Sequence, residues 1–297
     1  MKMNAQLAVE IRPARESDTA DMLEVTRTIF KGQDYVPMEW ADWLADAEGA
    51  LLVAEHQGRV VGLGKLTRLD AQDWWLQGLR VHPEFERRWV ATQITEALVA
   101  AWQVQGSGAV RLATSSQRIP VHRLCERLGF VQVGEYSVFV APAIDENYYN
   151  PRGLEQNFLP LSANEAEAAT AFALKSPSVA LASNLMDLCW EWAPPRAIYL
   201  QRARERDQAW WWRGGEGLLA VHIDQDEDEP EQPYLELAAC EIEALRALLL
   251  DYRRLAARLG YAQATWNAPL HSDVLPILEA AGFRRGWEHA LFVYSKS

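Results

Sequence analysis

Trp74–Leu98 reads WWLQGLRVHPEFERRWVATQITEAL. The apolar run Trp74 to Val81 has the length and composition of a buried strand. His82-Pro83-Glu84-Phe85 is a turn, because Pro cannot continue a ladder. Arg87 and Arg88 form a basic corner, and from Val90 the apolar residues recur at helical spacing. A strand, a turn and a helix start in this order make an anion site. The first N–H groups of a helix have no partner within it, and they point at whatever sits at the terminus. Two arginines add charge and forked donors. The ligand that this chemistry asks for is a phosphate or a pyrophosphate.

Gly78-Leu79-Arg80-Val81-His82-Pro83-Glu84-Phe85 resembles the fourth strand of the GNAT acetyltransferase superfamily and the turn that follows it. In that family a loop of roughly Arg/Gln-x-x-Gly-x-Gly/Ala comes next, and its amides hold the pyrophosphate of coenzyme A. Here the loop falls on Glu86-Arg87-Arg88-Trp89-Val90-Ala91, where Ala91 matches. Glu86 stands where a basic residue or Gln is usual, and Trp89 where Gly is usual. The resemblance implies an acetyl-CoA site built from Leu79, Arg80, Val81, Arg87, Arg88, Trp89, Val90, Ala91 and Thr92.

Upstream, Val9 to Arg12 reads as a strand and Thr19 to Phe30 as an amphipathic helix. Asp34-Tyr35-Val36-Pro37, followed by a helix from Met38 to Asp46, is similar to a segment of the GNAT subset that includes histidine N-acetyltransferase. By that resemblance Asp34 and Tyr35 face the acceptor, and a carboxylate beside aromatic rings suits a cationic amine. Ala50 to Glu55 and Arg59 to Thr67 flank His56-Gln57-Gly58 as a hairpin. Downstream, Val110 to Thr114 is a strand and Ile119 to Leu128 a helix. Val131 to Val140 holds the closing strands. The order β-α-α-β-β-β-α-β-α-β-β is that of a GNAT domain, and Leu128-Gly129-Phe130 with Gly134 is similar to the family's ending. The Tyr that protonates the departing thiolate in many members is replaced by Cys125. Asp34, Glu55, Asp73, Glu84 and His82 are the candidate general bases.

The polar stretch 145–153 reads as a boundary. Beyond it the layout repeats at an offset of roughly 150 residues. Phe158 to Phe172 gives a strand and a helix, and Ser178 to Trp192 a second apolar helix. QAWWWR (208–213) and GLLAVHI (217–223) make a hairpin, and the acidic stretch 224–231 a solvated turn. Tyr234 to Ala239 is a strand, and a long helix runs from Glu241 to Leu259. Ala281-Gly282-Phe283 and Gly286 repeat the ending of the first half. The second copy has Glu241 and Glu243 where a phosphate loop would lie, and carboxylates there answer the helix dipole. The expectation is an α+β chain of two tandem GNAT-like domains, 8–143 and 154–297, each a mostly antiparallel sheet flanked by helices, with the second copy non-catalytic. That copy would support the first, wall the acceptor cleft, or mediate an interface such as a homodimer.

The totals agree. The chain has 297 residues, enough for two domains. Its net charge of −12 argues against nucleic acid as a general partner. No apolar run has the length of a membrane span, and no apolar signal core begins the sequence, so a cytoplasmic protein is expected. Three cysteines far apart suggest neither a disulfide framework nor a metal site. The function that this implies is transfer of an acetyl group from acetyl-CoA directly to a primary amine of a small molecule, amino acid or peptide. The alternative is a degenerate GNAT fold that binds a ligand or a protein without catalysis.

Overall fold

A computed structural model describes residues 6–144, 157–224 and 231–297. The boundary expected at 145–153 and most of the acidic stretch 224–231 lie outside the described residues. The chain divides into two compact units. One comprises residues 1–112, 120–131 and 295–297, the other 113–119 and 132–294. Among the described residues no helix is long and apolar enough to cross a membrane.

The first unit is a mixed sheet covered by helices on both faces. In chain order its elements are β1 (Glu10–Pro13), α1 (Thr19–Thr26), α2 (Val36–Ala45), β2 (Ala50–His56), β3 (Arg59–Arg68), β4 (Asp73–Val81), α3 (Val90–Gln105), β5 (Ala109–Ser115) and α4 (Ile119–Arg127). Strands β1 to β4 pair antiparallel in sequence order, and β5 joins β4 in parallel. The hairpin turn forms as read, with Gln57 and Gly58 both left-handed at φ 52° and 77°, the conformation that matches strand twist. Met22, Val25, Trp40 and Trp43 pack on one face against Val53, Val60 and Leu63. On the other face α3 buries Val90, Ile94, Leu98 and Trp102. Gly62 and Gly64 let this helix close in: a Cβ at either would meet Ile94 at 3.0 or 2.9 Å.

Two local expectations change. Helix α1 stops at Thr26 rather than Phe30, because Phe30 and Lys31 turn left-handed in a 3₁₀ segment at Ile29–Gly32. The closing segment is one continuous strand, β6 (Val131–Pro142), and not two. After Gly134 the one residue of a turn-forming kind before Pro142 is Ser137, and it stays in the ladder opposite Ala268.

In the second unit, β7 (Phe158–Pro160), β10 (Ala209–Trp212), β11 (Gly217–Asp224), β12 (Gln232–Cys240), β13 (Gln263–Pro269) and β6 lie in that order. Strands β12 and β13 run parallel, meeting at Tyr234 and Thr265. Strand β6 runs antiparallel to β13, from Pro142 opposite Gln263 to Tyr136 opposite Pro269. The helix Ile242–Arg258 buries Leu245, Leu248, Leu249, Tyr252 and Leu255 in the core of this unit. The helix expected over 178–192 is not there. A short helix, Pro177–Leu181, gives way to β8 (Met186–Asp187) and β9 (Trp192–Ala193). Ser183 and Asn184 are left-handed at φ 60° and 55°, and the Asn184 N–H closes the helix end on the Val179 carbonyl at 2.9 Å. Residues 196–206 become the helix Ala197–Glu205.

Candidate functional site: the edge of β4 and the start of α3

Strand β4 is irregular where the sequence placed the ligand. Leu63 stands opposite Arg80 and Lys65 opposite Gln77, so Gly78 and Leu79 together face Gly64 alone. This is a β-bulge. Gly78 has φ 63°, and a Cβ there would meet the Trp43 ring at 2.5 Å. Its N–H donates to the Tyr35 hydroxyl at 3.2 Å. The ladder between β4 and β5 covers Asp73, Trp74 and Trp75 and ends. Past Trp75, the β4 backbone on that side has no strand partner among the described residues. Leu79 and Val81 are part-exposed there. An open strand edge offers amides and carbonyls to an extended ligand.

The segment after β4 brings a second set of donors to the start of α3. Arg87 and Trp89 are both left-handed, at φ 59° and 70°. The carbonyls of this turn are taken: Arg88 accepts from the Leu7 N–H at 3.1 Å, and Trp89 from the Gln93 N–H at 3.1 Å. The Gln93 amide then bonds the Leu7 carbonyl at 3.1 Å. No side chain caps the N-terminus of α3, and its first turn holds no acidic residue. The N–H groups of Val90, Ala91 and Thr92 are thus those that an α-helix leaves without an internal acceptor.

Cations gather at this end. Arg87 is exposed and Arg88 part-buried, with the Arg88 guanidinium 5.8 Å from the Phe85 ring. Arg127, at the end of α4, lies 4.6 Å from the Trp89 ring and donates to the Thr92 hydroxyl at 2.5 Å. Positive charge at a helix N-terminus opposes the dipole by a few tenths to about 1 kcal/mol per group. An anion reverses the sign. Helix Ile242–Arg258 shows the opposite arrangement: Glu241 at its N-cap has an ordinary φ of −64°, and Glu243 stands in its first turn.

The sequence reading missed Arg127. Its signal was the position just before Leu128-Gly129-Phe130, which puts the last turn of α4 beside the start of α3. The reading also missed the bulge at Gly78.

Asp34, Tyr35 and Arg80 come together, but with one another. The Asp34 carboxylate, 7% exposed, accepts two hydrogen bonds from the Arg80 guanidinium, both 2.8 Å. That guanidinium also lies 5.5 Å from the Phe30 ring and 5.2 Å from the Tyr35 ring. Burial alone would lower the pKa of Arg80, but the bonds to Asp34 outweigh it and leave the pKa raised. The Tyr35 hydroxyl is raised as well, chiefly by burial. Asp34 therefore pins its loop to β4, and it is not a carboxylate open to a ligand. Glu55 is held by Arg12 at 2.7 Å, beside a second pair between Arg12 and Asp18. Asp73 is fully buried against Arg111 at 2.5 Å. The His82 ring accepts from the Glu84 N–H at 3.3 Å. Cys125 is buried in α4, and burial pushes its thiol up to about 12.

Comparison with known proteins follows the same lines. Residues 18–130 match the Acetyltransferase (GNAT) family. A histidine N-acetyltransferase of Scomber australasicus is 28% identical over 88 residues, which are 29% of this chain and 26% of that protein. The chain thus matches about a quarter of the length of that relative. The structure of a GCN5-related N-acetyltransferase from Sphaerobacter thermophilus superposes with a TM-score of 0.62 over 97% of this chain and 95% of that one, at 13% identity. A tandem GNAT protein from the clavulanic acid biosynthesis pathway superposes at 0.58 over 97% and 98%, at 12% identity. At such identities the two structures show a shared fold, and the second carries it in tandem.

Proposed function

We propose, with residues 18–130 as a GNAT-family domain, that this chain moves an acetyl group from acetyl-CoA directly to a primary amine of a small molecule, amino acid or peptide. The observation that carries this reading is the joint arrangement at α3. A left-handed turn frees a set of amides, three arginines stand against the helix dipole, and an open strand edge leads to them. Trp89 does not spoil the fit. The backbone has the left-handed conformation that Gly would favour, and the indole is stacked on Arg127.

The amides of Val90, Ala91 and Thr92, with Arg87, Arg88 and Arg127, would hold the pyrophosphate. The β4 edge at Leu79 to Val81 would bond the amides of the pantetheine arm. The bound thioester supplies the acetyl carbon. The amine nitrogen would form a bond to that carbon as the carbon–sulfur bond breaks; the sulfur would leave with the bonding pair as the thiolate of coenzyme A, and the proton shed by the nitrogen would end, through water, on that sulfur. Asp34, Glu55 and Asp73 are committed to Arg80, Arg12 and Arg111, so the reading calls on none of these three as a base: a neutral acceptor amine would pass its proton to water. The relative named as a histidine N-acetyltransferase supports an amino acid among the acceptors.

Calorimetric titration with acetyl-CoA tests this. Micromolar binding is expected, weakened at least about tenfold by Arg88→Glu and by Arg127→Glu, the loss of one charge-assisted bond. Absence of binding at millimolar ligand would sink the proposal. A second reading, a binding module, is favoured by the engagement of Asp34 and Glu55 in ion pairs. Tight acetyl-CoA binding without turnover across a panel of amines and amino acids would select it.

A further inference from the structure

The chain just before β1 reaches the start of α3 and ties itself to the turn there. Strand β1 joins β2 from Glu10, which stands opposite Glu55. Leu7 and Ala8 precede that ladder and bond elsewhere. The Ala8 carbonyl lies 3.0 Å from His56 Nδ1, and a carbonyl only accepts, so that nitrogen is the donor. The Leu7 N–H donates to the Arg88 carbonyl at 3.1 Å. The Leu7 carbonyl accepts from Gln93 Nε2 at 3.1 Å. All of these residues belong to the first unit.

Gln93 joins the two segments. It stands in the first turn of α3, and helical side chains lean toward the N-terminus of their helix. Its Nε2 thereby also reaches the Trp89 carbonyl, at 3.4 Å, to which its backbone N–H donates at 3.1 Å. Side chains continue the link. The His56 ring meets the Phe85 ring edge-on at 5.8 Å, and the Arg88 guanidinium lies 5.8 Å from the same Phe85 ring.

These bonds hold the peptides that matter to an anion. A trans peptide is planar, with its C=O and N–H on opposite sides. Fixing the Arg88 carbonyl on Leu7 turns the Trp89 N–H away from Leu7. Fixing the Trp89 carbonyl on Gln93 turns the Val90 N–H out of the helix end. The turn also carries two left-handed residues with side chains, Arg87 at φ 59° and Trp89 at φ 70°. Such a conformation persists only where its surroundings impose it, and Leu7 and Gln93 hold the carbonyls of this one.

We propose that Leu7 and Ala8 form a strap that keeps the turn 86–89 in its anion-binding form, with Gln93 as the positioning residue that couples strap to turn. The inference rests on the acetyl-CoA site proposed above and adds a control on it: whatever lifts the strap lowers affinity for the cofactor. Coupling between two sites is reciprocal, so a bound pyrophosphate draws the strap down by the same factor.

The test uses the full chain and acetyl-CoA. Gln93→Met keeps the length of the side chain and removes its donor, and Leu7→Pro removes the N–H that bonds Arg88. Each should weaken acetyl-CoA binding roughly two- to tenfold by calorimetry, the worth of one hydrogen bond. The double variant should lose little more than either single one, because both release the same strap. In the wild type acetyl-CoA should slow amide exchange over residues 6–9, read by peptide mass spectrometry, and Gln93→Met should abolish the slowing. A purely structural role predicts exchange that the ligand leaves unchanged. Should Leu7→Pro fail to fold, His56→Phe takes its place with the same expectations, since it keeps a ring on Phe85 and drops the bond to Ala8. No binding by the wild type at millimolar acetyl-CoA would end the reading of the site and the strap's role with it. Binding by the wild type with unchanged affinity in the folded variants, or exchange over 6–9 that ignores the ligand, would overturn the strap alone.

Discussion

Replacing Asp34 by Ala decides whether this carboxylate is a clamp or a ligand. Its side chain is 2% exposed and that of Arg80 13%. Removing one partner of a buried ion pair costs about 3–5 kcal/mol, because a charge is left behind without compensation. Arg80 retains some access to water and its two aromatic faces, which places the expected loss near the lower end, about 3 kcal/mol. Asp34 also accepts from the Val36 N–H at 3.3 Å in the turn before α2, and loss of that hydrogen bond adds about 1 kcal/mol. The sum is a large part of the stability of an ordinary domain, about 5–15 kcal/mol. Denaturant unfolding followed by tryptophan fluorescence gives the total. Amide hydrogen exchange over residues 30–46 gives the place, and exchange there should accelerate more than over α3. In a double-mutant cycle with Arg80→Leu, the second change should recover most of the loss, since an apolar pair is tolerated where a lone charge is not. A loss below about 0.5 kcal/mol, the range of an ordinary surface position, would refute the clamp and return Asp34 to the acceptor.

Three further outcomes follow from the geometry. Glu236, raised from 4.5 to about 8, makes the folded state hold a proton that the unfolded state has lost, so stability falls as pH rises between those values. His222, lowered from 6.5 to about 4, makes stability fall as pH drops between those values. The two oppose each other from 4.5 to 6.5, and Glu236 acts alone from 6.5 to 8. There a slope approaching about 1.4 kcal/mol per pH unit is expected, and urea midpoints should show it flattened in Glu236→Gln. Parallel slopes would contradict the buried, protonated carboxyl. Gly78→Ala should lower stability by about 1–3 kcal/mol through a strained φ and a clash with Trp43, and should weaken acetyl-CoA binding by moving the β4 edge, measured by calorimetry. Brief alkylation of the folded protein at mildly alkaline pH should mark the exposed Cys189 and spare Cys125 and Cys240, whose buried thiols are pushed up to about 12. Peptide mass spectrometry reads the pattern, and rapid labelling of Cys125 would revive it as a chemical group.

What the sequence made legible was local. The hairpin at His56-Gln57-Gly58 and the helix starting at Val90 form as their residues dictate, because turn chemistry and apolar period act over a few positions. Partner choice was not legible. Asp34 reads as an available carboxylate until the fold brings Arg80 from 46 residues away. Strand β6 reads as the end of the first copy, yet it pairs with β13 more than 120 residues later. The bulge at Gly78 depends on the register against Gly64, which no spacing within β4 reveals. Residues 178–192 are apolar enough for a helix, but apolar content alone does not choose a period. There the left-handed Ser183 and Asn184 lead the chain to line a cavity with Leu185 and Asp187.

Trp89 shows how a sequence rule fails without the physics behind it failing. Gly is favoured in a phosphate-binding turn because a left-handed residue with a side chain costs roughly 1–2 kcal/mol. That is an energy, and it can be offset. The Trp89 backbone takes the left-handed conformation at φ 70°. Its indole is part-buried and stacked on Arg127, a contact of about 0.5–1 kcal/mol at an exposed site, and burial of part of a large apolar ring adds to this. The same contact holds Arg127 at Thr92, where a cation serves an incoming phosphate. A residue that reads as the loss of the anion site thus positions one of its charges. The sequence alone could not say so, because Arg127 reaches Trp89 through the packing of α4 and not through any spacing along the loop.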